Sequence, residues 1–250
     1  MGRIKKINYC LPGRLCPKRL GRGLLLIVFC LLLTAPAQSQ TPAIDLTLTW
    51  STDTYIPADY PGKALPSRGS IVEIVANVDS LAANPWELDY RWFLNSSLQK
   101  ESSGPGKIIF RFMVRQQAAN NQSVRVEARD NQGVILSSAS SEIRIVDPEI
   151  VLLGPLSSLS LDEYQINSNQ KVNFIAKPYF FNIDHPDDLD YSWHLADKEA
   201  APESSDQPNI LFLEIEEIDR AISQRLTILA KNRNNYLEQA RNSAQINIIP

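Results

Sequence analysis

The 250-residue chain has two histidines, His185 and His194, and three cysteines, Cys10, Cys16 and Cys30. Nucleophilic or acid–base chemistry would have to be assembled from these few parts. His185 sits in the acidic run Asp184-His185-Pro186-Asp187-Asp188, and His194 follows Trp193 on a strand-like segment, facing outward. Neither stands beside a nucleophile and an orienting group. A Gly-rich phosphate loop, His-Glu-x-x-His and Gly-x-Ser-x-Gly are all absent from the sequence. No catalytic residue is assigned, and the chain reads as a non-enzyme. Asp184, Asp187, Asp188 and Asp190 form the one metal candidate, because calcium takes about six to eight oxygens and clustered carboxylates supply them. The competing reading is a solvated turn with no cofactor.

Aromatic side chains outside the alternating segments are the binding candidates. Trp50, Tyr55 and Tyr60 flank the stretch at 54–62, which proline breaks too often for a central strand. Trp86 precedes a strand, and Tyr179, Phe180 and Phe181 take a similar place in the later part of the chain. Loop aromatics can form a recognition surface, since they offer rigid contact area at low entropy cost. They can equally plug the open end of a core.

The elements that would hold these residues repeat. Glu87-Leu88-Asp89-Tyr90-Arg91-Trp92-Phe93-Leu94 returns 101 positions later as Asp188-Leu189-Asp190-Tyr191-Ser192-Trp193-His194-Leu195. A period of about a hundred residues is one small β-sandwich and far too long for a solenoid unit. Period-two alternation predicts strands at 71–78, 88–94, 107–114 and 123–129, closing through Ile143 and Ile145. In the 123–129 strand Val124, Val126 and Ala128 face in and Arg125, Glu127 and Arg129 face out, before a tight turn at Asp130-Asn131-Gln132-Gly133. Val172, Phe174 and Ala176 answer Val72, Ile74 and Ala76; Leu226, Ile228 and Ala230 answer Val124, Val126 and Ala128. The run from Glu214 to Ile222 suggests a helical turn. The expected fold is all-β, two tandem sandwiches at 38–147 and 148–250, with Asp147-Pro148-Glu149 as a short link of limited hinge freedom.

Residues 1–37 read as an export signal. Arg3, Lys5, Lys6, Arg14, Lys18, Arg19 and Arg22 make a basic start, 24–33 is apolar, and Ala35-Pro36-Ala37 offers a cleavage site after Ala37. An apolar run of ten residues is short of the roughly 20 a spanning helix needs, so an uncleaved anchor is the secondary reading. Removing the segment takes away seven of 25 Lys+Arg and none of 28 Asp+Glu, leaving a formal charge of −10 and no cysteine. So acidic a chain lacks the basic stripe that nucleic acid requires. Without disulfides the sandwiches must stand on packing, which about 100 residues each can provide.

In an immunoglobulin sandwich a buried Trp packs against a disulfide between the second and sixth strands. Trp92 holds that place with Ala76 and Ala128 at the two cysteine positions, and Trp193 with Ala176 and Ala230. The Tyr-x-Trp third strand, the Val-x-Val-x-Ala sixth strand and the Asp-Asn-Gln-Gly turn resemble PKD (polycystic kidney disease) and related Ig-like domains of bacterial exported or cell-surface proteins, over about 44–147 and 150–249. Where the PKD pattern continues Trp-x-Phe-Gly-Asp-Gly, this chain has Trp92-Phe93-Leu94-Asn95. The resemblance implies a spacer, or an adhesion and interaction module of the cell envelope, periplasmic, on the surface or secreted. Its partner would be an envelope protein or a surface glycan, with no stable membrane span after cleavage. Two alternatives stay open: a carbohydrate-binding module using the loop aromatics, and an assembly factor for a pilus or secretion system.

Overall fold

A computed structural model describes residues 44–79, 83–115, 117–155, 160–202 and 206–250. The export-signal reading of 1–37 and its three cysteines lie outside the described residues. Among these residues no helix is long and apolar enough to cross a membrane.

The first sandwich begins with β1 (Asp45–Thr52), β2 (Ile71–Asp79), β3 (Asp89–Leu94) and β4 (Ser97–Leu98). It continues with β5 (Gly104–Pro105), β6 (Ile109–Met113), β7 (Gln122–Arg129) and β8 (Ile135–Ile143). One sheet has the order β1-β2-β6; the other runs β4-β3-β7-β8, with β5 on the outer edge of β3. Alternation drives the assembly, as Val72, Ile74 and Ala76 from β2 meet Tyr90, Trp92, Val124, Val126 and Ala128 in one buried cluster.

The second sandwich opens with β9 (Glu149–Leu153), β10 (Glu163–Asn167), β11 (Gln170–Tyr179) and β12 (Leu189–Leu195). Then come β13 (Lys198–Ala200), β14 (Ile210–Ile215), β15 (Ile222–Asn232) and β16 (Gln239–Ile249). Its sheets run β9-β11-β14 and β10-β16-β15-β12-β13, around a separate core that holds Phe174, Ala176, Trp193, Ile228 and Ala230. The placement of strands in sheets is the immunoglobulin arrangement: β3, β7 and β8 share one sheet and β1, β2 and β6 the other, as β12, β15 and β16 and β9, β11 and β14 do in the second sandwich.

The repeat extends to individual hydrogen bonds. Trp92 Nε1 donates to the Lys107 carbonyl at 2.8 Å and Trp193 Nε1 to the Pro208 carbonyl at 3.0 Å. The Tyr90 hydroxyl donates to Pro85 O at 3.0 Å and the Tyr191 hydroxyl to Pro186 O at 3.3 Å. Each of those prolines opens a one-turn 3₁₀ helix, Pro85–Glu87 or Pro186–Asp188. Two-residue turns with both φ angles positive, Asn95-Ser96 and Ala196-Asp197, close the β3–β4 and β12–β13 hairpins, as the twist of such hairpins requires.

Four details differ from the sequence expectation. Trp50 is not a loop residue; it lies in β1 opposite Ile74, and the alternation Ile44, Leu46, Leu48, Trp50 was a strand signal in its own right. Glu127 does not face water: it is buried, with Arg125 and Arg129 each bonded to one carboxylate oxygen. The 214–222 run forms no helical turn, because Ile215 ends β14 and Ile222 begins β15. Last, β10 pairs in parallel with β16 from Glu163↔Gln245 to Asn167↔Ile249, whereas its counterpart in the first sandwich is the single bridge Ser67↔Val146. The preceding residues there carry Pro57, Pro61 and Pro66, which have no N–H for a ladder, and they run instead to the second sandwich.

Candidate functional site

Residues 53–70 form a strap that leaves β1, crosses to the second sandwich and returns to β2. Thr54 Oγ1 closes it with a bond to the Leu65 carbonyl at 2.9 Å, and Tyr60 N donates to Pro57 O at 3.0 Å. Tyr55 docks it. Its N–H donates to Phe181 O at 2.8 Å while its carbonyl accepts from Phe180 N at 2.7 Å, so the strap pairs briefly with the segment after β11. The Tyr55 ring packs on the second core beside Tyr191, and burial pushes both phenols above their ordinary pKa. Tyr60 meets Tyr179 and Phe180 edge-on, at centroid distances of 5.4 and 5.9 Å. Asp59 and Lys177 form an ion pair at 2.5 Å, and the hydrogen bond from Lys177 holds the Asp59 carboxyl below its usual range.

A polar network seals the junction. Asn182 Nδ2 donates to Ser67 Oγ at 3.1 Å and to Arg68 O at 3.0 Å, and the same side chain lies 2.6 Å from Glu238 Oε1. Glu238 is only 6% exposed and accepts further bonds from Asn182 N at 2.8 Å and Asn232 Nδ2 at 2.5 Å. A buried carboxylate is costly unless hydrogen-bonded, so these amides fix the base of the 232–238 loop. At the loop's tip Tyr236 and Leu237 are each 78% exposed. Clefts flank the junction on two sides. One of about 800 Å³ is lined by residues including Arg68, Asp147, Glu238 and Arg241, and one of about 230 Å³ by Asp53, Ile71, Met113 and Asp184 among others.

Of the seven aromatic candidates, the structure brings five together: Tyr55, Tyr60, Tyr179, Phe180 and Phe181 meet at the junction, with Phe180 and Phe181 buried. Trp50 is elsewhere, under the Lys63 ammonium at 3.3 Å from the ring centroid. Trp86 stands apart on the first sandwich's 3₁₀ turn, 65% exposed, with its carbonyl so close to Gly106 that a Cβ there would lie 3.0 Å from it. The acidic run is divided: Asp184 and Asp188 line the smaller cleft, and the others turn to separate partners. Asp188 accepts from His185 N at 3.0 Å, Asp187 lies 3.0 Å from His185 Nδ1, and Asp190 pairs with Arg233 at 2.7 Å. Among the described residues no group of three or more His, Cys, Asp or Glu is placed to hold a metal. His194 lies on β12 across from Thr227. Sequence reading missed Asn182, Asn232 and Glu238. Their signal was faint: a polar residue, Asn232, follows Leu226, Ile228 and Ala230 on the inward face of β15.

No protein-family model matches the chain, and no curated protein matches it. Solved structures do. The three N-terminal domains of the Highly Immunogenic Outer Capsid protein (Hoc) of bacteriophage RB49 align over 82% of this chain and 59% of theirs, at 14% identity and a TM-score of 0.43. The fibronectin(III)-like modules of CbhA from Clostridium thermocellum align over 81% and 93%, at 12% identity and a TM-score of 0.28. Extracellular domains 3–5 of Drosophila OTK align over 82% and 62%, at 13% identity and a TM-score of 0.29. The chain thus spans under two thirds of the phage and fly structures. Sheet order and paired cores make it a tandem of two immunoglobulin-like β-sandwiches.

Proposed function

We propose that the chain is an exported, non-enzymatic interaction module of the cell envelope, in which two fixed sandwiches present edges and end loops to a protein partner. The observation that carries this reading is the junction. It consumes five aromatic side chains and a buried carboxylate to tie one sandwich to the next, while Tyr236 and Leu237 project from the same rigid base into solvent. Ordering a loop before a partner arrives lowers the entropy lost on binding.

Crosslinking of the exported protein in its native cells, followed by mass spectrometry, tests the reading. A reproducible protein partner attached through the loops or sheet edges is the expected result; recovery of glycan alone, or of nothing, overturns it. A second reading is favoured by one residue. Trp86 is exposed and leaned over Gly106, a flat apolar face of the kind that stacks on sugar rings. Loss of retention on polysaccharide matrices by Trp86→Ala, with an unchanged melting temperature, would move carbohydrate binding ahead.

A further inference from the structure

The equivalent strands β6 and β14 of the two sandwiches are both outer strands, with β2 or β11 as the one ladder partner among the described residues, and they are guarded differently. β14 carries Glu214 next to its end, paired with Lys171 at 3.3 Å, and Glu216 and Glu217 follow the strand; such charges discourage strand addition. β6 has no proline and no lysine, and its one charge, Arg111, is tied to Glu73 on the neighbouring strand at 2.5 Å. Ala76 N donates to Ile108 O at 2.9 Å and Val114 N to Ser70 O at 2.9 Å. Even-numbered residues therefore bond β2, and the N–H and C=O groups of Ile109, Arg111 and Met113 turn outward. The 3₁₀ turn Lys100–Ser102 approaches β6, but among the described residues it adds no backbone bond to it.

The lower end of this edge is apolar and then acidic. Met113, 57% exposed, faces Ile71, 44% exposed, across the β2–β6 ladder. Beyond them opens the cleft of about 230 Å³, whose lining includes Asp53, Asp184 and Asp188 and no lysine or arginine. Asp53 Oδ1 and Asp188 Oδ2 each accept one backbone N–H, which among the described residues leaves a second oxygen on both and the whole Asp184 carboxylate for a ligand.

We propose that the β6 edge and this cleft take an extended segment of a partner protein, added as a strand, with alternate apolar residues over Ile71 and Met113 and a lysine or arginine in the cleft. The proposal rests on the interaction-module reading. Backbone pairing supplies the affinity and the side-chain positions the selectivity, as in other strand additions. The basic side chain fits by charge and by shape: its methylenes lie along the Ile71–Met113 shelf while its head reaches the carboxylates.

The test uses the full exported chain and a fluorescent octapeptide of alternating valine and threonine ending in arginine, followed by anisotropy. Saturable binding that weakens with salt is expected, with at least a tenfold loss when glutamate replaces the peptide's arginine. Asp184→Asn combined with Asp53→Asn should weaken binding at least tenfold. Arg111→Pro should do the same by removing an outward N–H, while Arg111→Ala retains binding and controls for the lost ion pair; melting curves confirm that each variant folds. Binding indifferent to the peptide's charge, or unmoved by Arg111→Pro, overturns the proposal. So does a concentration-dependent dimer that Arg111→Pro abolishes, since the edge would then belong to a second copy. A crosslinked envelope partner attached elsewhere sinks this site and leaves the module reading standing; peptide binding without any cellular partner does the reverse.

Discussion

The same end of the two sandwiches meets opposite fates. In the second, the segment between β11 and β12 lies under the strap, with Phe180, Phe181 and Ile183 buried there. In the first, the corresponding segment between β2 and β3 carries Trp86 in the open. Inside, the two repeat the same bonds: each Trp indole bonds a carbonyl 15 residues on, and each Tyr hydroxyl bonds a proline carbonyl five residues back. Packing against both sheets constrains the interior of a sandwich to few solutions, whereas its ends answer only to what they touch. The duplicated unit thus kept its core and changed its contacts.

The comparison breaks first if the cores are not equivalent. Trp92→Ala and Trp193→Ala should each lower stability by about 3 to 5 kcal/mol, the range for deleting a large buried aromatic, read from denaturant midpoints at constant m. A near-neutral result for either would mean that the two indoles do different jobs. Next comes the junction. Asn182→Ala removes one bond to Glu238 and two to the strap, at Ser67 and Arg68, and should cost about 1 to 3 kcal/mol while loosening the second sandwich from the first. Amide exchange should then speed up in 53–70 and 232–238 and stay unchanged around Trp92; uniform change would show a single cooperative core instead.

A smaller effect separates the sandwiches by pH. Burial pushes the Glu127 carboxyl up, but hydrogen bonds from Arg129 and Arg125 and their charges outweigh it and hold it below the ordinary value of 4.5. A depressed folded pKa means the stabilisation is present above about pH 4.5 and is lost as pH falls through the lower folded value. Glu127→Gln should therefore flatten the acid limb of the melting-temperature profile; the unaltered limb would assign it to other carboxylates. The smallest effect is at the open end. Trp86→Ala should leave the unfolding midpoint within about 0.5 kcal/mol of the parent, as for exposed sites without structural partners. A larger loss would place Trp86 in the core after all.

Much of this was readable from residue order. Alternation in β2, β3, β7 and β15 follows from a strand's two faces, and Trp92 and Trp193 with small residues opposite announce a sandwich core. The aromatic run 179–181 was legible as a sandwich end. Its occupant was not, since the strap residues that cover it lie more than a hundred positions earlier and no local rule links Tyr55 to Phe181. The partners of the acidic run were hidden for a related reason. A 3₁₀ turn and Arg233, 43 positions beyond Asp190, engage Asp187 and Asp190 separately, while Asp184 and Asp188 line one cleft.

By itself, then, the sequence determined the duplication, the strand faces and the two cores, because period-two burial is a local property written in neighbouring residues. The tertiary structure alone decided that the proline-rich strap seals one sandwich end, that Glu127 and Glu238 are buried among partners, and that among the described residues β6 pairs on one side only. Those outcomes depend on which distant segments meet, and through-space contact has no signature in local order.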